Sequence, residues 1–370
     1  MLAAATAIRR DTLFATGWVE CCDFLNFIDV PGNRYASYRY RVMETAIEIV
    51  SVDHQLVIRL NQAWSKRATV CSPAKADVSE AFDPTRADYP ERLVPFFHHP
   101  AFQALSEELK SSVLTWGWIG YNLRTVTAEE LVVNPALSVI ANQYLGPDDW
   151  HFREAMQQAL IDEHYHTLMH LRAVERTRAE RKLGAMLDLP PSVTYLRLKA
   201  LQQELSEPWQ RDMAAITFAV VAEISVNAFL DLLADDQSIQ PQNRLVAELH
   251  NRDEYAHSKV LAEVAKVMYA NMQPEQRAFF TRTLSQALSA FVAQDYSMWE
   301  AILSQLGVEQ ARQIIDETRE SNRNATIMRD YSGLHRLAED LGIGAQIDFD
   351  FRPTLNPKRQ PESGGEHVCS

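Results

Sequence analysis

A five-residue phrase occurs twice in this chain of 370 residues: Asp162-Glu163-His164-Tyr165-His166 and Asp253-Glu254-Tyr255-Ala256-His257 both read D-E-x-x-H. On a helix, residues three apart lie on one face about a turn from each other, so each Glu and its His can grip the same ion. A lone E-x-x-H arises by chance roughly once in every one or two chains of this length, whereas the doubled D-E-x-x-H arises roughly once in a thousand. Two such grips suggest two metals, and the fold must bring two helices together to hold them.

The rest of the chain supplies helices. Apolar residues recur at helical spacing over 38–67, and a Pro- and Asp-bearing loop follows over 71–90. The pattern predicts a helix over 111–133 ended by Pro135. Gly146, Asp148 and Asp149 then supply a turn and cap for a long helix, reaching about Lys182, that carries the first repeat. Beyond Pro190-Pro191, helices are expected over 193–205 and 209–233, then one over 245–270 with the second repeat, and more over 274–341. No sustained period of two argues for a sheet. The expected fold is therefore all-α: one ferritin-like or ribonucleotide-reductase-like helical bundle with additional helices over 36–351. An irregular lead-in, 1–35, precedes it, and a polar tail, 352–370, is expected to be disordered.

Charge and cysteine usage narrow the function. A net charge of -13 and a pI near 5.3 argue against a nucleic-acid surface or an anionic membrane and favour a small ligand. Cys21, Cys22, Cys71 and Cys369 lie far from both repeats in no disulfide or zinc-ribbon spacing. With no apolar run approaching a membrane span or signal peptide, a soluble protein of the reducing cytoplasm is expected.

A bundle that binds two metals typically takes one Glu from each of two helices and a Glu-x-x-His from each of two others. Glu223 is the clearest lone carboxylate, embedded in the apolar stretch 216–224. An unpaired charge there is costly, so it must be ion-paired, protonated or bound to a cation. For the other, Glu129 and Glu130 both continue helical stripes, and periodicity does not separate them. His250, four before Glu254 and seven before His257, shares their stripe and can add a third imidazole. His170 stands comparably, seven after Glu163, where ordinary packing competes with ligation. Four Glu would balance the charge of two ferrous ions inside a low-dielectric core, and a Glu/His donor set suits iron or manganese better than zinc. Asp162 and Asp253 are turned about 100° from the adjacent Glu. Each can accept the outer N–H of a ligand histidine, that of the opposite repeat being one candidate, fixing its tautomer. His98-His99, flanked by prolines with no partner carboxylate in the sequence nearby, reads as a surface or packing feature rather than a ligand pair.

These residues also carry a resemblance. Trp118-Ile119-Gly120-Tyr121-Asn122, Asp162-Glu163 with His166-Thr167 and Met169-His170, Val193-Thr194-Tyr195, Ala222-Glu223 with Asn227-Ala228, Ile239-Gln240-Pro241, Leu249-His250 with Arg252-Asp253-Glu254 and Ala256-His257, and Asp348-Phe349-Asp350-Phe351 resemble the di-iron arylamine N-oxygenase family. That family includes the p-aminobenzoate N-oxygenase of aureothin synthesis and the chloramphenicol-pathway N-oxygenase, and the likeness runs from about residue 60 to 352. Counted without gaps from Tyr121-Asn122, the resemblance places the family's first Glu ligand on Glu129. The metal-ligand set it implies is Glu129, Glu163, His166, Glu223, His250, Glu254 and His257. It further implies two iron ions, O2 as co-substrate, an aromatic amine oxidised through hydroxylamine and nitroso to nitro in antibiotic biosynthesis, an external electron donor and a homodimer. Tyr121, Asn122 and Asn227, which share faces with Glu129 and Glu223, are expected to line the substrate pocket, with Arg124 a candidate for a substrate carboxylate. Alternatives are a di-iron oxygenase that stops earlier or hydroxylates carbon, and an iron-storage or radical-generating bundle.

Overall fold

A computed structural model describes residues 51–72, 82–322 and 330–351. The lead-in over 1–35, the tail over 352–370, three of the four cysteines and the start of the first expected helix lie outside the described residues. Among the described residues the chain is helical throughout; the one β-type pairing is an isolated bridge between Ala87 and Ile239.

The helices, in order, are α1 (His54–Arg67), the single turn α2 (Pro100–Gln103), α3 (Glu107–Ala128), α4 (Asn134–Val139), α5 (Trp150–Glu180), α6 (Val193–Glu204), α7 (Pro208–Ser225), α8 (Asn227–Ala234), α9 (Pro241–Asn271), α10 (Pro274–Val292), α11 (Ser297–Gln305), α12 (Ala311–Ser321) and α13 (Ser332–Asp340). Local chemistry sets several starts. Asp53 accepts from the Leu56 amide at 2.8 Å, Ser106 caps α3, Ser192 caps α6, and Gln273 with Gln276 forms a reciprocal box at α10. His99 accepts from the Ala101 amide at the start of α2 and, contrary to the expectation of no partner carboxylate, meets Glu317 at 3.0 Å, while His98 is exposed.

Four stretches make the centre: α3 with the turn that follows it, α5, α7 and α9, each packed on its neighbours. Two of them depart from the expected pattern. Pro135 does not end the third helix. A π-helical turn, Glu129–Val133, widens the spiral ahead of α4, so the proline ring is taken into that helix's first turn, where a missing N–H costs least. The expected helix over 209–233 is two, α7 and α8, bent by 41°. At the break the Ser225 hydroxyl donates back to the Val221 carbonyl at 2.6 Å, a bond that bends helices, and Asn227 is tied to Asn251 across the gap.

Close packing also explains two glycines inside α3. A Cβ on Gly117 would lie 2.7 Å from the Trp299 ring, and one on Gly120 would collide with the Met298 sulfur, so both let α11 seat against the helix. No single described helix is long and apolar enough to cross a membrane; the bent pair α7–α8 passes such a test only jointly, and its apolar residues are largely buried in the bundle.

Candidate metal centre

Seven side chains converge between the four central helices. Glu129 comes from the π turn, Glu163 and His166 from α5, Glu223 from α7, and His250, Glu254 and His257 from α9, and all are buried. Glu130, the other carboxylate of that pair, faces out. Asn122, Val126, Glu129 and Val133 form the inward stripe that selects between them.

Two overlapping groups emerge, with ligand atoms all within 4.8 Å of one another: Glu163, His166, His250 and Glu254, and Glu163, Glu223, Glu254 and His257. Glu163 and Glu254 belong to both. His166 Nδ1 lies 2.8 Å from Glu163 and 3.4 Å from Glu254. His257 Nδ1 lies 2.6 Å from Glu163, 3.3 Å from Glu254 and 3.6 Å from Glu223. His250 points its Nε2 inward, 3.2 Å from Glu254 and 3.8 Å from Glu129. Each of the four Glu keeps one oxygen without a hydrogen-bond donor: Oε2 of Glu129, Oε1 of Glu163, Oε2 of Glu223 and Oε2 of Glu254. Buried carboxylate oxygens are rarely left so, and two of these four, on Glu163 and Glu223, lie 2.6 and 3.6 Å from the same His257 nitrogen, an arrangement that could hold a cation. An all-oxygen-and-nitrogen donor set with no thiolate fits iron or manganese.

Electrostatics divides the seven. Burial, reinforced by Glu163, Glu223 and Glu254, holds Glu129 well above the usual carboxylate range; burial with Glu254 and Glu163 does the same for Glu223. Burial also acts on Glu163 and Glu254, but facing imidazoles outweigh it and keep both ionised, His166 and His257 for the first, His257 foremost for the second. Against the same burial, Glu163 and Asp253 lift His166 to about 10, and Glu254 with Glu163 raises His257 well above its ordinary value. Burial and the neighbouring His166 push His250 down.

Behind the imidazoles the pattern crosses. Asp253, of the second repeat, lies 3.3 Å from Nε2 of His166, and Asp162, of the first, lies 3.1 Å from Nε2 of His257. The end of α1 closes over both aspartates. Trp64 donates its indole N–H to Asp162 at 3.0 Å, the Thr69 amide donates to Asp253 at 3.0 Å, and Arg67 sits 3.1 Å from Asp253 and 3.9 Å from Asp162. Sequence periodicity did not find these three residues: they precede the first repeat by about a hundred positions, and nothing local marks them. His250 has a different partner, Nε2 of His170 at 2.8 Å, so His170 stands behind the centre rather than in it.

A family model described as p-aminobenzoate N-oxygenase AurF matches residues 51–342. The chain belongs to that family. A 4-aminobenzoate N-oxygenase of Streptomyces thioluteus is 39% identical over 305 residues, covering 81% of this chain and 90% of the relative.

Within this AurF-family chain, three of the four residues expected in a substrate pocket make hydrogen bonds within the protein. Asn122 is fully buried and used at both ends, donating to the Trp118 carbonyl at 2.7 Å and meeting His170 Nδ1 at 2.7 Å. Arg124 is matched by Asp295 at 3.1 Å and donates to Ser297, so its charge is not free for a ligand carboxylate. Asn227 donates to Asn251 at 2.8 Å and fastens the α7–α8 bend. Tyr121 remains beside the centre. Its ring stacks on Trp118 and stands edge-on to His170, and burial raises its phenol. The helical face shared with Glu129 was legible; what each polar group bonds to on that face was not.

Proposed function

We propose that this chain is a di-iron N-oxygenase that uses O2 to oxidise an aromatic amine of the p-aminobenzoate type through hydroxylamine and nitroso to a nitro compound. The observation that carries the reading is the buried nest of four Glu and three His, with one undonated oxygen on every Glu, in a chain of the AurF family. Glu129, Glu163, His166, Glu223, His250, Glu254 and His257 would hold two iron ions, with Glu163 and Glu254 placed to serve both. When bound, the iron pair supplies the redox chemistry by which O2 attacks a closed-shell amine. The chain's own contribution is to keep water out, since every donor is buried, and to hold His166 and His257 in orientation through Asp253 and Asp162. Tyr121, whose ring stacks on Trp118 and stands edge-on to His170, would meet the amine in this reading.

Reduction needs an external electron donor, and a specialised pathway making a nitro compound is the natural setting. The same reading takes the chain as a homodimer in the cytoplasm. Exposed Ile161, Leu168 and Leu171 on one face of α5 favour pairing of two copies.

The test is anaerobic loading with ferrous iron, then O2 with p-aminobenzoate or p-aminophenylalanine, and product analysis by mass. The expected result is a nitroso or nitro product from wild type, and iron content well below about two per chain in Glu223→Ala. Iron that mineralises without amine consumption would end the proposal in favour of storage. An aminophenol would redirect it to carbon.

A further inference from the structure

The three imidazoles of the centre are backed by two kinds of partner, and the odd one carries information. His166 and His257 each have a carboxylate behind them, whereas His250 Nδ1 meets another imidazole, His170 Nε2, at 2.8 Å. Two neutral imidazoles can share that contact only if one donates and the other accepts. The direction is fixed further back. Asn122 donates its amide nitrogen to the Trp118 carbonyl at 2.7 Å, which turns its oxygen toward His170 Nδ1, also at 2.7 Å. With the amide reversed, two oxygens would face each other there. His170 must therefore donate from Nδ1 to Asn122, leaving a lone pair on Nε2, and His250 must donate to it from Nδ1.

The opposite polarity would require a doubly protonated His170. That ring is fully buried, its polar contacts are Asn122 and His250, and among the described residues no carboxylate is hydrogen-bonded to it. The chain Trp118 carbonyl, Asn122, His170, His250 then delivers one result: the lone pair of His250 lies on Nε2, aimed at Glu254 and Glu129.

We propose that His170, oriented by Asn122, is a positioning residue that locks His250 in its Nδ1–H tautomer and presents Nε2 to the Glu129 side of the metal centre, making His250 a weaker donor than the two carboxylate-backed histidines. The inference rests on the metal reading above. A carboxylate partner draws the imidazole proton and strengthens donation at the other nitrogen; a neutral imidazole partner does so less. The centre thereby has unequal halves, with the softer hold at His250.

The experiment compares wild type with His170→Phe, His170→Gln and Asn122→Leu. Anaerobic titration with ferrous iron gives the affinities, near-infrared circular dichroism gives the ligand field of the ferrous protein, and thermal melting of the metal-free chains checks folding. His170→Phe keeps the ring volume but cannot accept, so one ferrous ion should bind tenfold or more weakly and its ligand-field bands should shift. The amide oxygen of His170→Gln can accept from His250, so this variant should return most of the affinity and the wild-type spectrum. Asn122→Leu leaves His170 in place but free to turn, and should shift the same bands. The proposal is overturned if His170→Phe matches wild type in affinity and spectrum, if His170→Gln is as impaired as His170→Phe, or, should His170→Phe fail to fold, if Asn122→Leu leaves the bands unmoved. A wild-type chain that binds fewer than two ferrous ions removes the metal reading and this inference together; two ions in wild type with indistinguishable variants removes the inference alone.

Discussion

Glu129 and Glu223 are kept neutral by burial among other carboxylates, and His166 and His257 are kept charged by the ionised Glu163 and Glu254. Each of these four groups must give up its proton to ligate a cation. Loading two divalent ions near neutral pH should therefore release about four protons. Calorimetry in buffers of different ionisation enthalpy measures that number. Because protons are products of binding, affinity should climb as pH rises from about 6 to 8 and fall as the solution is acidified. Release of one proton or none would mean that other side chains take the ions. At this scale much of the site was legible in the sequence, because a ligating Glu and His must be three apart on a helix and the repeat displays that spacing twice. Which carboxylate of Glu129 and Glu130 turns inward was not legible from periodicity, since both continue plausible stripes. Nor was the use made of Asn122, whose two ends are spent on Trp118 and His170.

Among the elements, α3 shows how a helix can be shaped by what packs on it. Gly117 and Gly120 each cost about 1 kcal/mol of helix propensity relative to Ala, and that cost is accepted because Trp299 and Met298 occupy the space of the missing side chains. Gly117→Ala should regain the propensity yet lower overall stability by about 1–3 kcal/mol, because a rigid indole at 2.7 Å cannot step aside cheaply. Urea denaturation measures the change; a more stable variant would show that α11 can shift. The helices around both repeats were readable from apolar spacing. Their interruptions were read less well, because proline and serine signals are local while their outcome depends on neighbours. Pro135 looked like a terminator and is accommodated by the π turn that carries Glu129. Ser225, unremarkable in a run of apolar residues, bends α7 away from α8 through its bond to Val221.

As a whole molecule, the chain encloses its ionisable cluster in a bundle and leaves apolar side chains along one face of α5. Ile161, Leu168 and Leu171 are each about two-fifths or more exposed, on the helix whose opposite face supplies Glu163 and His166. A charge placed there should disrupt association without touching the centre. Leu168→Glu is expected to convert a dimer to a monomer in light scattering while its ferrous iron content stays at the wild-type level. A wild-type chain that is already monomeric would dismiss the face as an interface. Sequence could announce an all-helical bundle from the absence of any period of two, but it could not show that residues near 64–69 arch over aspartates at 162 and 253, because such contacts follow only from the folded path.

The crossed hydrogen bonds, Asp253 to His166 and Asp162 to His257, reach past the chemistry of the centre. Each copy of the repeated phrase supplies the brace for the other copy's imidazole, so neither is complete alone. A substitution that removes the aspartate of one copy should loosen the imidazole of its twin, and a compensating change would have to arise on the opposite helix. The two phrases would thus tolerate change only as a pair, although they lie on different helices, α5 and α9.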